Sequence, residues 1–285
     1  MAETKPTVAK AASSVQAKQS SNIISWVAPI VCIIAGYAIW RFILGDASGF
    51  TEPDKSGAWF WPKHHKPIGA LNAIYEGGII VPLLIGLFLM VIVFSIERFL
   101  TISKAMGASS ATDFIRKVQY HLANKNIDAA LAECDKQKGS VGNVMKAGLK
   151  KYREMTTTTD IDHEQKVAAI QKEVEEATAL ELPMLSKNLV FLSTITSLGT
   201  LIALLGTVLG MIRAFASLGK EGGGGDAGQL AIGISEALYN TALGIATSSF
   251  ALVMYNVFTT KIDSITFGID ETSFTLTQSF ATQHK

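Results

Sequence analysis

The stretch LLGTVLGMIRAF, Leu204–Phe215, decides how the chain is read. It closes a long apolar run, yet it holds Thr207 between Gly206 and Gly210 and ends on Arg213 and Phe215. A segment made only for lipid has no use for a hydroxyl beside bare backbone. Those residues fit where another helix comes close or where something polar passes.

Working outward, the run extends back to Asn188 and gives an apolar segment from Asn188 to Ile212, set between Lys187 and Arg213. At 1.5 Å per residue it is about 38 Å long, more than the roughly 30 Å of bilayer hydrocarbon. Three more runs qualify as spans. They are IISWVAPIVCIIAGYAIW (Ile23–Trp40), GGIIVPLLIGLFLMVIVFSI (Gly77–Ile96), and the segment from about Leu230 to Phe258, which only Glu236 interrupts. Composition agrees. Charged residues make up 17% of the 285, below the usual quarter of soluble domains, and the mean hydropathy is +0.30. A net charge of +1 gives no electrostatic footprint for nucleic acid. Cys32 and Cys134 are read as unpaired thiols without special role.

The first run is long for the apolar part of a signal peptide, and no small-residue cleavage site follows it in IWRFILGDASG, so it is read as a retained span. The basic residues then set the orientation. Lys5, Lys10 and Lys18 precede the first span; Arg98, Lys104 and Lys187 flank the others on the side of the large polar region. The positive-inside rule places both regions in the cytoplasm. The expected order is a cytoplasmic tail (1–22), an extra transmembrane helix (23–45), a periplasmic loop (46–76) and a transmembrane helix (77–100). A cytoplasmic helical region (101–187), a transmembrane helix (188–216), a periplasmic turn (217–229), a transmembrane helix (230–260) and a cytoplasmic tail (261–285) complete it. The fold class is all-α membrane protein, with four transmembrane helices and a large cytoplasmic helical region.

Within that region, ATDFIRKVQYHLAN follows the cap-like pair Ser109-Ser110, and NIDAALAECDKQ and VGNVMKAGLKKYREM continue as helices. TTTTD, Thr156–Asp160, reads as a turn. A further helix then runs toward the third span, with Val167, Ile170, Val174, Ala177 and Leu180 on its apolar face.

The polar residues inside the last two spans fall on stripes. On the third span Ser193, Thr196, Thr200, Thr207 and Met211 recur at helical steps. On the fourth, Gly233, Ala237, Thr241, Gly244, Ser248, Ala251 and Tyr255 do so. Small residues let backbones approach and hydroxyls bond across the contact, so packing alone accounts for any one of them. Two hydroxyl stripes on adjacent spans and a carboxylate favour a polar path as well. Glu236 either rests at the interface or faces a bundle interior. Arg213 either snorkels to the interface or pairs with an acidic group on another subunit. No aspartate lies within any of the four runs, so a central titrating group for proton passage has to come from a partner.

LLGTVLGMIRAF on one span, followed by GISEALYNTALGIATSSFALVMYNVF on the next, resembles the paired signature of the MotA/TolQ/ExbB proton-channel family. GGIIVPLLIGLFLMVIVFSIERFL and the intervening helical region fit it too, so the resemblance covers about residues 75–260, nearest the ExbB/TolQ branch. It implies a homopentameric ring in the bacterial inner membrane, around a single-span ExbD- or TolR-like partner whose aspartate binds the proton. Motion driven by the proton motive force would then pass through a TonB-like protein to outer-membrane transport. By resemblance Thr207 and Thr241 line the proton path, with Thr200 and Ser248 beside them, and Glu236 lies near the periplasmic mouth. Gly206, Gly210 and Gly244 permit close packing or clearance for a turning partner.

The first span and loop 46–76 lie outside the family's minimal core. In that loop AWFWPKHHKP is read as solvated or resting on the interface, because adjacent His64 and His65 are weak evidence for a metal site. EGGGGD, Glu221–Asp226, lacks the GK[ST] of a phosphate loop and reads as a flexible turn. No GxSxG, HExxH, Walker or paired CxxC motif occurs, and nothing calls for a cofactor, so an enzyme is not expected. The alternatives are a TolQ/MotA-type stator subunit for envelope maintenance or motility, and a non-conducting membrane scaffold.

Overall fold

The computed structural model describes residues 23–53, 60–62, 64–218 and 227–283. The readings placed on the tail 1–22, on residues 54–59 and 63 of the first loop, and on the glycine-rich turn at 219–226 lie outside them, as do residues 284–285.

The first apolar run forms α1 (Ile23–Ala38), which continues through one π-helical stretch, Ile39–Leu44. It crosses α3 (Ile80–Met106) backbone to backbone. A Cβ on Gly36 would lie 2.7 Å from the Pro82 carbonyl oxygen, and one on Gly86 would lie 3.0 Å from the Ile33 Cα. Lipid is as apolar as leucine, so two such helices gain little from burial; close approach and dispersion hold them.

Between α1 and α3 the described part of the loop, read from sequence as solvated or resting on the interface, packs its aromatic residues together. Strands β1 (Phe50–Glu52) and β2 (His65–Pro67) pair antiparallel, with Phe50 opposite Pro67, and lead into a short helix, α2 (Ala70–Tyr75). Trp40 stacks on Tyr75 at 4.3 Å between ring centroids and on Trp61 at 4.4 Å, and Phe50 stacks on His64 at 4.9 Å. The Trp40 indole donates to the Tyr75 carbonyl, and the Tyr75 hydroxyl to the Pro62 carbonyl. Large apolar rings with polar tips suit a membrane-water boundary, where one end is dry and the other wet.

At the opposite end of α3 a helical body is assembled from α4 (Ala111–Ala123), α5 (Ile127–Gln137), α6 (Gly139–Thr157) and α7 (His163–Ser186). Its core is conventional: Phe114, Ile115, Val118, Leu122, Leu149 and Tyr152 are each at most 1% exposed. On α5 the Asn126 side chain caps the helix by accepting from the Ala129 N–H. Burial pushes the Cys134 thiol up to about 12. Of the residues expected on the inner face of α7, Ile170 and Val174 are buried, while Leu180 faces outward at 59% exposure.

The chain passes from α7 to α8 (Leu189–Leu218) through a break at Lys187-Asn188, where Asn188 has φ +65°. The break is held from α3. Arg98, 2% exposed, donates to the last carbonyls of α7, those of Met184 and Leu185, and is ion-paired with Glu97. Glu97 in turn accepts from Asn188. A cation on the carbonyl end of a helix satisfies both its orphan acceptors and its dipole.

The last helix, α9 (Ala227–Gln283), is continuous for 57 residues, about 85 Å at 1.5 Å per residue. Its first half packs on α8; its second half, read from sequence only as a tail, runs into the body and buries Ile265, Ile269, Leu276 and Phe280 there. Among the described residues, four helical segments are long and apolar enough to cross a membrane.

Candidate functional site

The site is the contact between α8 and α9. The two helices run antiparallel, and small residues on each let them come within backbone reach. A Cβ on Gly244 would meet the Gly199 carbonyl oxygen at 2.8 Å, and one on Gly210 would meet the Gly233 carbonyl oxygen at 2.9 Å and the Ala237 Cβ at 3.0 Å. Gly206 is pressed against Asn240. All three sequence-singled glycines are therefore used in joining α8 to α9 of one chain. The clearance they were expected to give a turning partner is filled by the chain itself.

The hydroxyls meet across this contact in a fixed register. Thr207 faces Thr241 with 2.5 Å between hydroxyl oxygens, and Thr200 donates to the Ser248 hydroxyl at 3.0 Å. Thr207 and Thr200 are seven residues apart, as are Thr241 and Ser248, so the levels recur every two turns, roughly 10 Å apart. The heptad period keeps one face of each helix on the other along a left-handed supercoil.

The Thr207–Thr241 pair holds an unresolved choice. Thr207 is placed to donate to the Ala203 carbonyl at 3.0 Å, Thr241 to the Ala237 carbonyl at 3.1 Å, and each to the other. A hydroxyl has one proton. Two protons serve three acceptors, so one bond is always unmade, and which one is decided by rotating a hydroxyl rather than moving a helix.

At the ribbon end the seam closes on an ion pair between Arg213 and Glu236 of the same chain. Glu236 is 7% exposed and so buried against the protein, while the Arg213 side chain is 53% exposed. The expectation that Arg213 seeks an acid on another subunit is corrected: α8 and α9 carry both partners. The turn before α3 seats directly on the pair. Gly78 has φ +71°, and a Cβ there would lie 2.6 Å from a Glu236 carboxylate oxygen and 3.1 Å from an Arg213 nitrogen. Beside it, Asn240, fully buried, donates to the Gly77 carbonyl at 3.0 Å. A cavity of about 670 Å³ opens over the pair. Its walls include Trp40, Trp61, His64 and Glu76 from the amino-terminal part and Arg213 and Glu236 from the seam.

Sequence reasoning found the threonines, Ser248, Arg213 and Glu236. It missed Asn240, Gly77 and Gly78. Asn240 adjoins Thr241 in the quoted motif, and an amide in an apolar run was the available signal. Among the described residues, no three His, Cys, Asp or Glu side chains converge as a metal site.

Comparison with known proteins places this seam inside a matched segment. The sequence pattern of the MotA/TolQ/ExbB proton channel family matches residues 136–271, which contain α6 to α8 and most of α9. The chain is similar to the ExbB-like 1 biopolymer transport protein of Synechocystis sp., 45% identical over 29% of this chain and 34% of that protein. It is similar to the biopolymer transport protein ExbB of Helicobacter pylori, 41% identical over 32% of this chain and 62% of that protein. The Tol-Pal system protein TolQ of Pseudomonas aeruginosa is 27% identical over 44% of this chain and 54% of its own length. The matched segments thus span between a third and two thirds of these relatives. The amino-terminal helix, the ribbon and α3 lie outside the family match.

Proposed function

We propose, from the premise that residues 136–271 belong to the MotA/TolQ/ExbB proton channel family, that the chain is the ring-forming subunit of a proton-driven motor in a bacterial inner membrane. It assembles as a homopentamer around an ExbD- or TolR-like single-span partner, uses the proton motive force, and passes the resulting motion through a TonB-like protein to outer-membrane transport. The ribbon end faces the periplasm; the helical body and both termini face the cytoplasm.

The observation that carries this reading is the Thr207–Thr241 pair, where two protons serve three acceptors. Such a pair can relay a proton, one hydroxyl accepting as it gives its own up, with a hydroxyl rotation and no movement of a helix. The levels of the seam stand roughly 10 Å apart, beyond hydrogen-bond reach. A proton therefore needs a carrier that travels between them, and the partner's aspartate fills that role, because the four apolar runs contain none. Arg213 and Glu236 neutralise each other at the mouth, and the water-sized space above them admits protons from the periplasm. The similarity to TolQ keeps a second reading open, the same chemistry harnessed to envelope maintenance.

The test is Thr207→Val and Thr241→Val, singly and together, in the complex purified with its partner. Valine keeps the shape and removes the hydroxyl. An interhelical hydrogen bond in a membrane is worth about 0.6 kcal/mol on average, so the ring should assemble at wild-type mass. Proton flux in vesicles should collapse. Full flux in the double variant returns the seam to packing alone and the chain to a scaffold.

A further inference from the structure

At the body end, the heptad levels continue past Thr200 and Ser248 to Ser193 on α8 and Tyr255 on α9, seven residues further along each helix. There both helices line an open cavity of about 390 Å³, and Ser186, Ser193, Tyr255 and Thr259 bring four hydroxyls to its wall. Asp263 brings the only carboxylate among its lining residues. Leu189 and Ile262 supply apolar wall around them.

The placement is specific in two ways. The four hydroxyl residues border open volume large enough for several water molecules; Ser186 and Thr259 donate to the Leu182 and Tyr255 carbonyls of their own helices and keep oxygen lone pairs for water. The second way concerns length. Glu236 and Asp263 are 27 residues apart on one continuous helix, about 40 Å at 1.5 Å per residue. The hydrocarbon core is about 30 Å. The two carboxylates are therefore far enough apart along α9 to lie on opposite sides of the hydrocarbon core, each at the wall of one cavity.

We propose that Asp263 is the proton-release group of the seam, receiving protons through water held by Ser193, Tyr255 and Thr259 and passing them to the cytoplasm. The inference rests on the proton-channel reading and deepens it. Each step breaks one O–H bond and forms another: a hydronium in the cavity gives its extra proton to the Asp263 carboxylate and becomes water, and the carboxylic acid then gives that proton to bulk water. Asp263 is exposed, so exchange with solvent is open. The positioned hydroxyls set the direction from which the proton arrives.

The experiment uses the full complex purified with its partner and reconstituted in vesicles with a pH-sensitive dye inside. Four versions are compared: wild type, Asp263→Asn, Asp263→Glu and Thr207→Val. A positioned acid–base group contributes about 10²–10⁴-fold, and water substitutes for part of that at an exposed site. Asp263→Asn is expected to slow flux on the order of tenfold, with native mass unchanged. Millimolar imidazole, a mobile proton carrier that enters the cavity from solution, should restore it, and Asp263→Glu should retain it. Full flux in Asp263→Asn overturns the proposal. So does slow flux that imidazole leaves slow, which marks a structural role for the side chain. If Thr207→Val also conducts fully, the channel reading itself fails, and the two failures are told apart.

Discussion

The two halves of α9 are packed by opposite rules. From Gly233 to Ala251 its buried face is Gly, Ala, Asn, Thr and Ser, and α8 lies against it almost backbone to backbone. From Phe258 to Phe280 the buried face still holds Gly268, Thr272 and Thr275 but gains Phe258, Ile265, Ile269, Leu276 and Phe280, set in the core of the body. The helix is the same; the solvent is not. In lipid an apolar side chain gains nothing by leaving its surroundings, so contact comes from removing side chains and adding hydroxyls. In water, burying a Phe or Leu is worth about 1.5–3 kcal/mol, so contact comes from adding bulk. A face of small polar residues on a long apolar helix thus marks where the helix pairs within the membrane.

The largest break in the comparison should come from Phe280→Ala. Phe280 is fully buried and meets Tyr152 edge-on at 5.0 Å between centroids. Its loss should cost about 3–5 kcal/mol, read as a lower midpoint of thermal unfolding in detergent, and should leave the seam's threonines in place. Next, Arg213→Ala leaves the buried Glu236 carboxylate without its partner. The cost is about 3 kcal/mol, the low end for a buried pair because Arg213 is half exposed. Arg213→Ala with Glu236→Gln should recover part of it, and an additive double variant argues against the pairing.

Gly210→Ala and Gly142→Ala sharpen the contrast by making one change in the seam and one in the body. On α8 the new methyl lies 2.9 Å from the Gly233 carbonyl oxygen, so overpacking should cost about 1–3 kcal/mol. On α6 of the body its nearest neighbour is the Cys134 carbonyl oxygen at 3.3 Å. There the better helix propensity of Ala, up to about 1 kcal/mol, should keep stability level or raise it. Equal losses at both sites would erase the distinction.

The smallest effect is at alkaline pH. Cys134 ionises near 9.0 when exposed and near about 12 in the fold, because burial disfavours the thiolate. Above pH 9 the unfolded chain gives up this proton and the folded chain keeps it, so stability is lost as pH rises from 9 toward 12. By pH 10 the loss is about 1.4 kcal/mol. Cys134→Ala should lack this component when unfolding midpoints are compared at pH 8 and pH 10.

What could be read in the sequence follows the same division. Long apolar runs and helical stripes are local in the chain, and the four spans and both hydroxyl faces were legible from them. Asn240 bonding to Gly77 joins residues 163 apart, and no spacing announces such a pair. The second half of α9 was hidden for another reason. TFGIDETSFTLTQ is rich in Thr, Ser and Phe, which are indifferent helix formers. It is helical because Ile269, Leu276 and Phe280 are buried against the body, a tertiary gain that local propensity does not contain. The aromatic packing of the loop before α3, read only as solvated or resting on the interface, was hidden for a similar cause, since those residues find partners only once Trp40 and Tyr75 are brought beside them.

An α9 without a joint has a mechanical meaning. Neither proline nor a break interrupts it between Ala227 and Gln283, so it transmits angle rather than absorbing it. A tilt of about 5° imposed near Thr241 swings the far end by roughly 5 Å, given some 60 Å of rod beyond that point. The body then registers, as displacement, whatever inclines the helix in the membrane, and a load placed on the body leans back on the threonines.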